Sequence, residues 1–247
     1  MTSKLKFQFL LDPSLTFLNH GSFGACPKSV IENLGEWQIR MEKDPVQLLE
    51  ADIFPLLANS RKALGNFVGC EGDDLVYYPN PTHAVNAVAR SLKLKIGDEV
   101  LGTNHIYGAL DFTWKQVCKD TGAKFIKAEL PSPIKSKDEF LNKFFSYVSD
   151  RTKVIFISHI TSMTAMIFPV EEIIEFARER DVLAIIDGAH VPGHLPLNIT
   201  ELDPDIYTGA CHKWMCAPKG SSFLYVKKSL QNEIMPPVIS WGWEGEL

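Results

Sequence analysis

Three stretches of the chain gather residue types that could do chemistry. The apolar run Leu183-Ala184-Ile185-Ile186 ends in Asp187, followed by Gly188-Ala189-His190. An aspartate at the end of a buried strand caps the next helix, or ligates a metal or a ribose. Further along, where Gly209-Ala210-Cys211 breaks the apolar pattern, Lys213 stands between His212 and Trp214. Its amine is a solvated loop charge if exposed. Desolvated, or beside another cation, it gains the lowered pKa of a useful nucleophile and base. The segment Tyr78-Pro79-Asn80-Pro81-Thr82-His83-Ala84 joins a strand to a helix. Its N–H groups and the Thr82 hydroxyl can cradle an anion, or Thr82 simply caps the helix.

These groups need a scaffold, and the hydrophobic pattern supplies one. Val30, Leu34, Trp37 and Met41 recur at helical spacing over 27–43, with Pro27 in the first turn and Asp44-Pro45 as the stop. A second helix is expected over 53–68, with Gly69 just past its end. From there β-rich runs at 75–78, 99–103, 124–130, 154–158, 183–187 and 222–226 alternate with helical patterns at 82–92, 109–121, 138–148 and 170–180. Strands that are mostly unbroken apolar runs, alternating with helices, point to a predominantly parallel sheet covered on both faces. Ligands bind such sheets beyond the carboxyl ends of the strands, where Asp187 falls.

Composition narrows the classes. The 247 residues suffice for one large α/β domain or two small ones. With 45% hydrophobic and 22% charged residues, the chain is not disordered, collagenous or coiled-coil. A net charge of -5, with no block of five like charges, argues against a nucleic-acid or anionic-membrane partner. No apolar run has the length of a membrane helix, and Gln8, Asp12 and Pro13 interrupt what would be a signal peptide. The cysteines are odd in number, 5, and form no Cys-x-x-Cys pair, which suits reduced thiols in the cytoplasm rather than a disulfide frame or a metal site. No Gly-x-Gly-x-x-Gly comes after an early strand, which weakens a nucleotide-binding reading.

Three motifs in order carry a resemblance. Phe17-Leu18-Asn19-His20-Gly21-Ser22-Phe23-Gly24, Asp187-Gly188-Ala189-His190-Val191-Pro192-Gly193 and His212-Lys213-Trp214 resemble the pyridoxal-phosphate site of the class V aminotransferase family. Within it they are similar to the isopenicillin N epimerase-like and cysteine desulfhydrase-like branch, to which desulfurases and hercynylcysteine sulfoxide lyases are related. The resemblance runs from about Phe17 to the last residue. It implies pyridoxal 5'-phosphate as cofactor and the large domain of fold type I: α/β, a mostly parallel sheet sandwiched by helices, with an N-terminal helical segment. On this reading residues 1–68 form that segment on the rim of the site and 69–235 the cofactor-binding domain. Residues 236–247 would begin a C-terminal domain, otherwise missing, that in relatives carries the arginine clamping the substrate carboxylate.

The resemblance also implies roles. Lys213 would hold the cofactor and move the substrate's Cα proton, and Asp187 would pair with the pyridine nitrogen. Thr82, His83 and His212 would contact the phosphate. Tyr107, preferred over His105, would stack on the ring, Thr161 would reach its phenolic oxygen, and His190 would lie near it. Asn19 and His20 would face the substrate. The expected reaction is at Cα or Cβ of an amino acid, such as C–S lysis or epimerisation, with transfer also open, by a cytoplasmic homodimer. The alternative is a truncated or non-catalytic homologue that binds the cofactor or a partner without turnover. Two positions depart from the family: Ala210 where many relatives have Asn, and Ala165 where Gly is common.

Overall fold

A computed structural model of the protein describes residues 4–240 and residue 243. The β-rich runs form one seven-stranded sheet in the order β1-β7-β6-β5-β4-β2-β3. The strands are β1 (Leu75–Tyr78), β2 (Glu99–Thr103), β3 (Lys124–Ala128), β4 (Thr152–Ser158), β5 (Leu183–Asp187), β6 (Ile206–Ala210) and β7 (Ser222–Val226). From β6 across to β3 every pairing is parallel, whereas β7 runs antiparallel to both β6 and β1.

Strand alternation divides the core into two layers. Val154, Phe156, Ile185 and Leu224 pack on one face with Val88 and Trp114, residues of α3 (Pro81–Ser91) and α4 (Gly108–Thr121). Ile155, Ile157, Ile186 and Phe223 pack on the other with Val68, Phe140 and Ile173. Those three come from α2 (Ile53–Val68), α5 (Lys137–Phe145) and α6 (Val170–Arg178). Because both faces of the central strands are covered, each strand reads in sequence as an apolar run without polar alternation.

Several local expectations change. The stretch 206–210, with no strand expected, is a fully buried strand of the sheet. Its Gly209 is there for room: a Cβ would stand 2.5 Å from the Phe223 ring and 2.8 Å from Pro192. Thr82 does not cap α3. Asn80 does, its side chain accepting the His83 N–H at 3.0 Å, and Pro81 opens the helix. Pro27 is the N-cap of α1 (Lys28–Lys43) rather than part of its first turn. Helices α5 and α6 stop at Phe145 and Arg178, and β3 stops at Ala128, each short of the sequence-based bound. Gly69 ends α2 in the left-handed conformation (φ 75°), as a residue without a Cβ does most readily.

None of the residues of α1 is buried, and Ile31, Leu34 and Trp37 stay more than a third exposed. Among the described residues no helix is long and apolar enough to cross a membrane. Beyond Ser240, the segment expected to begin a further domain lies outside the described residues, Trp243 excepted.

Candidate active site

Register places the polar strand ends side by side. Ser158 on β4 pairs with Asp187 on β5, and Asp187 with Thr208 on β6. The ends of β4 and β5 open into a cavity of about 600 Å³. Asp187 is 5% exposed at its wall. One carboxylate oxygen accepts the Ala189 N–H at 3.1 Å, and the other faces the Ser158 hydroxyl at 3.5 Å. No helix comes directly after it, so Asp187 closes a turn rather than capping one. Burial pushes its pKa up; the Ala189 N–H, the nearby Lys213 and Ser158 offset this only in part. The site is thus a desolvated carboxylate whose hydrogen-bond partners are neutral, an arrangement that favours a cationic N–H donor opposite it.

Lys213 lies in the loop after β6. The Cys211 and His212 N–H groups both reach the Ser221 carbonyl, at 3.1 and 3.2 Å, and Ala217 N–H closes back on the Cys211 carbonyl at 3.0 Å. The N-terminal segment pins the loop from outside, Gly24 N–H donating to the His212 carbonyl at 2.7 Å. A Cβ on Gly24 would collide with the Lys213 carbonyl, so only glycine permits this approach. Burial holds the Lys213 pKa below the usual lysine range, against the pull of Asp187. Its Nζ is 3.3 Å from Nε2 of His190, whose Nδ1 receives the Trp214 indole N–H, also at 3.3 Å. The His190 pKa falls to about 4, first through burial and then through the charges of Lys213 and His194.

At another wall, the start of α3 offers an anion cradle. Pro81 has no N–H and the His83 N–H is taken by Asn80, so the Thr82 N–H and hydroxyl are left without a partner among the described residues. The His83 side chain is exposed on the same wall. His212 also lines the cavity; its Nδ1 donates to the Ser221 carbonyl at 2.8 Å, and burial lowers its pKa. Tyr107, 47% exposed, faces the cavity, whereas His105 sits edge-on to Phe168 with centroids 6.0 Å apart.

Two expected contributors are occupied elsewhere. The Thr161 hydroxyl lies 2.7 Å from that of Thr164 and accepts the Met166 N–H at 2.9 Å, so it fastens its own turn while lining the cavity. That turn puts Ala165 at φ 52°, the left-handed region, which explains why glycine suits this position. Asn19 lines the cavity but ties both ends of its amide to Ser22, at 2.8 and 3.1 Å. His20 does not line it: its ring lies against Trp214 at 6.2 Å and edge-on to Phe17 at 4.9 Å. Three lining residues without an expected role are Ser158, Trp214 and His194, the last stacked on Trp214 at 4.5 Å. Only the strand register exposes Ser158, and nothing in the local sequence around His194 marks it.

Two half-buried histidines make the fold sensitive to acid. His159, with Nδ1 3.1 Å from the Tyr207 hydroxyl, is held by burial at a pKa of about 4, as is His190, against an ordinary 6.5. Between these values the unfolded chain binds more protons, so the stability present above pH 6.5 is lost as pH falls towards 4. For His159 the loss reaches about 3 kcal/mol. Urea midpoints measured from pH 7 to 4.5 should fall, and His159→Gln should flatten the slope. An unchanged slope in the variant would show that His159 is not the group responsible.

The chain is 34% identical over 239 residues to an isopenicillin N epimerase of Amycolatopsis lactamdurans, covering 96% of this chain and 60% of that protein. It is 28% identical to a probable chloroplastic L-cysteine desulfhydrase of Arabidopsis thaliana, covering 93% of this chain and 52% of the relative. Hercynylcysteine sulfoxide lyase of Schizosaccharomyces pombe is 24% identical, with 97% and 61% covered. The chain therefore spans between half and about 60% of the length of these relatives. Among solved structures, a mutant of C-DES with glycine covalently linked to its PLP cofactor superposes with a TM-score of 0.86 at 22% identity, over 96% of this chain and 63% of that one. The cysteine desulfurase CsdA of Escherichia coli gives 0.80 at 22% identity, over 96% and 60%. These likenesses show the fold to be the α/β architecture of those PLP-dependent enzymes. The aminotransferase class-V family model matches residues 23–242, a span that takes in Gly24, the start of α3, Asp187 and Lys213, and the chain belongs to that family.

Proposed function

We propose that this chain is the cofactor-binding part of a pyridoxal-phosphate enzyme acting at Cα or Cβ of an amino acid, as a C–S lyase or an epimerase. The observation that carries this reading is that a buried Asp187, whose hydrogen-bond partners are all neutral, and a desolvated Lys213 amine line one cavity. Pyridoxal phosphate fits both: its pyridine N–H is a cationic donor for Asp187, and its aldehyde a partner for the amine. When bound, the cofactor supplies a ring that accepts the negative charge developing at Cα.

The chain's own residues do the rest. Lys213, uncharged more readily than an exposed lysine, serves as nucleophile and then as the base at the Cα proton. Asp187 keeps the ring nitrogen protonated. The Thr82 N–H and hydroxyl bind phosphate, with His83 beside them. His212 joins as a donor only when its Nε2 is also protonated, since Nδ1 already serves Ser221. Tyr107, on the cavity wall, would stack on the ring. His190 lies beside the amine, Thr161 would shape the wall towards the ring oxygen, and Asn19 would border the substrate side, whereas His20, packed on Trp214, would act on that side only through its neighbours.

This reading takes 69–235 as the cofactor-binding unit, with 1–68 as its rim and 236–247 leading onward. The relatives' names, epimerase and desulfhydrase, support the choice of reactions. A cytoplasmic homodimer is part of the same proposal, supported by the uncovered apolar residues of α1. Adding pyridoxal phosphate to the purified chain should produce a visible absorption band. Sulfide release from cysteine would assign lysis, whereas loss of optical activity without sulfide would assign epimerisation. Absence of the band would overturn the reading.

A further inference from the structure

We propose that Trp214 is a positioning residue: its indole N–H fixes the proton of His190 on Nε2 and so keeps Lys213 as a neutral amine. The inference rests on the function proposed above only for its purpose, because the geometry stands without the cofactor. Indole is a donor with no acceptor, so the His190 Nδ1 that faces it at 3.3 Å must be bare. A neutral imidazole then carries its single proton on Nε2, the atom 3.3 Å from Lys213 Nζ. An ammonium offers donors alone and would oppose that N–H, whereas the lone pair of a free amine accepts it.

The rest of the neighbourhood holds this arrangement. Trp214 is kept in plane by His194, stacked at 4.5 Å with an interplanar angle of 29°, and by His20 at 6.2 Å and 25°. His194 Nδ1 in turn donates to the His190 carbonyl at 3.1 Å. Gly21 closes the other side: a Cβ there would stand 3.1 Å from the Trp214 ring and 3.4 Å from that of His190. Among the described residues, the charged and titratable groups facing the relay are Asp187, which favours the ammonium, His194, which disfavours a charge on His190, and His20, stacked on the far part of the Trp214 ring system. His190 offsets Asp187 only while its proton stays on Nε2. Trp214→Phe keeps the stacked slab and removes the donor, freeing His190 to turn a bare Nε2 towards an ammonium.

The test uses the full chain without added cofactor. Nitrogen-15 NMR should find His190 bare at Nδ1 and protonated at Nε2, and should find mixed tautomers in Trp214→Phe. Trace acetylation of Lys213 with acetic anhydride, read by mass spectrometry across pH, should shift its midpoint upward in the variant. At pH 8 the labelling should fall about tenfold, the weight of one hydrogen bond, with the high-pH plateau unchanged. A wild-type proton on Nδ1 would overturn the proposal, and this result needs no variant to fold. So would an unmoved midpoint, or a lowered plateau without a shift, which would mark a merely structural role. A missing visible band with pyridoxal phosphate would sink the proposed function and leave these readouts untouched.

Discussion

Borohydride reduction of the chain loaded with pyridoxal phosphate is expected to fix the label on the peptide containing His212-Lys213-Trp214. In Lys213→Arg, both the label and the visible band should fall to background. The guanidinium is charged at every accessible pH and does not form the bond that a free amine forms with an aldehyde. The expectation is sharp because the amine is singled out by its surroundings. Lys213 is the lysine on the cavity wall, and burial holds its pKa down. Lys219, the nearest rival in sequence, instead donates to the Gly24 carbonyl, and Lys153 is an exposed residue of β4. Label on either, with Lys213 unmodified, would overturn the assignment. Circular dichroism of the variant should match the parent, since Lys213 ties down its loop through backbone bonds rather than through its amine.

Replacing Asp187 should separate function from stability. In Asp187→Asn the ring nitrogen loses its counter-charge, and exchange of a substrate Cα proton for deuterium should slow by roughly 100-fold, the scale of one electrostatic contact in a buried site. The cofactor-free protein should respond in the opposite sense. Burial raises the Asp187 pKa, so the folded chain binds this proton more readily than the unfolded one. Its contribution to stability is present at low pH and is lost as pH rises through the raised value. At pH 7 the carboxylate is therefore a liability, and the asparagine variant should melt higher than the parent. That advantage should shrink as the pH falls towards the ordinary carboxyl range. Unchanged exchange would show that Asp187 is not the ring partner, and a lower melting temperature would show that its charge is compensated in the folded chain.

What sequence alone determines here is local. The helix 53–68 stands in the structure with the bounds its pattern and Gly69 imply, because amphipathic spacing and a left-handed stop are properties of neighbouring residues. The strands 75–78, 99–103, 183–187 and 222–226 are equally legible, being apolar runs bounded by turn residues. Asp187 and Lys213 could be singled out because a carboxylate ending an apolar strand and a lysine between His and Trp interrupt the pattern. The strand 206–210 could not, since its Gly209 has no local justification and answers to Phe223 and Pro192.

Tertiary structure decided the rest. Whether β7 runs with or against its neighbours depends on pairing partners far apart in the chain, which no window of sequence contains. The roles open to Thr161 and Asn19 were narrowed by hydrogen bonds to Met166 and Ser22, and His20 was turned from the cavity onto Trp214. Burial and neighbouring charge, which set the protonation of Lys213, Asp187 and His190, exist only after three separate segments have met. A sequence states which groups can titrate; the packed structure fixes how much water and which opposite charge each one keeps, and so which form it takes.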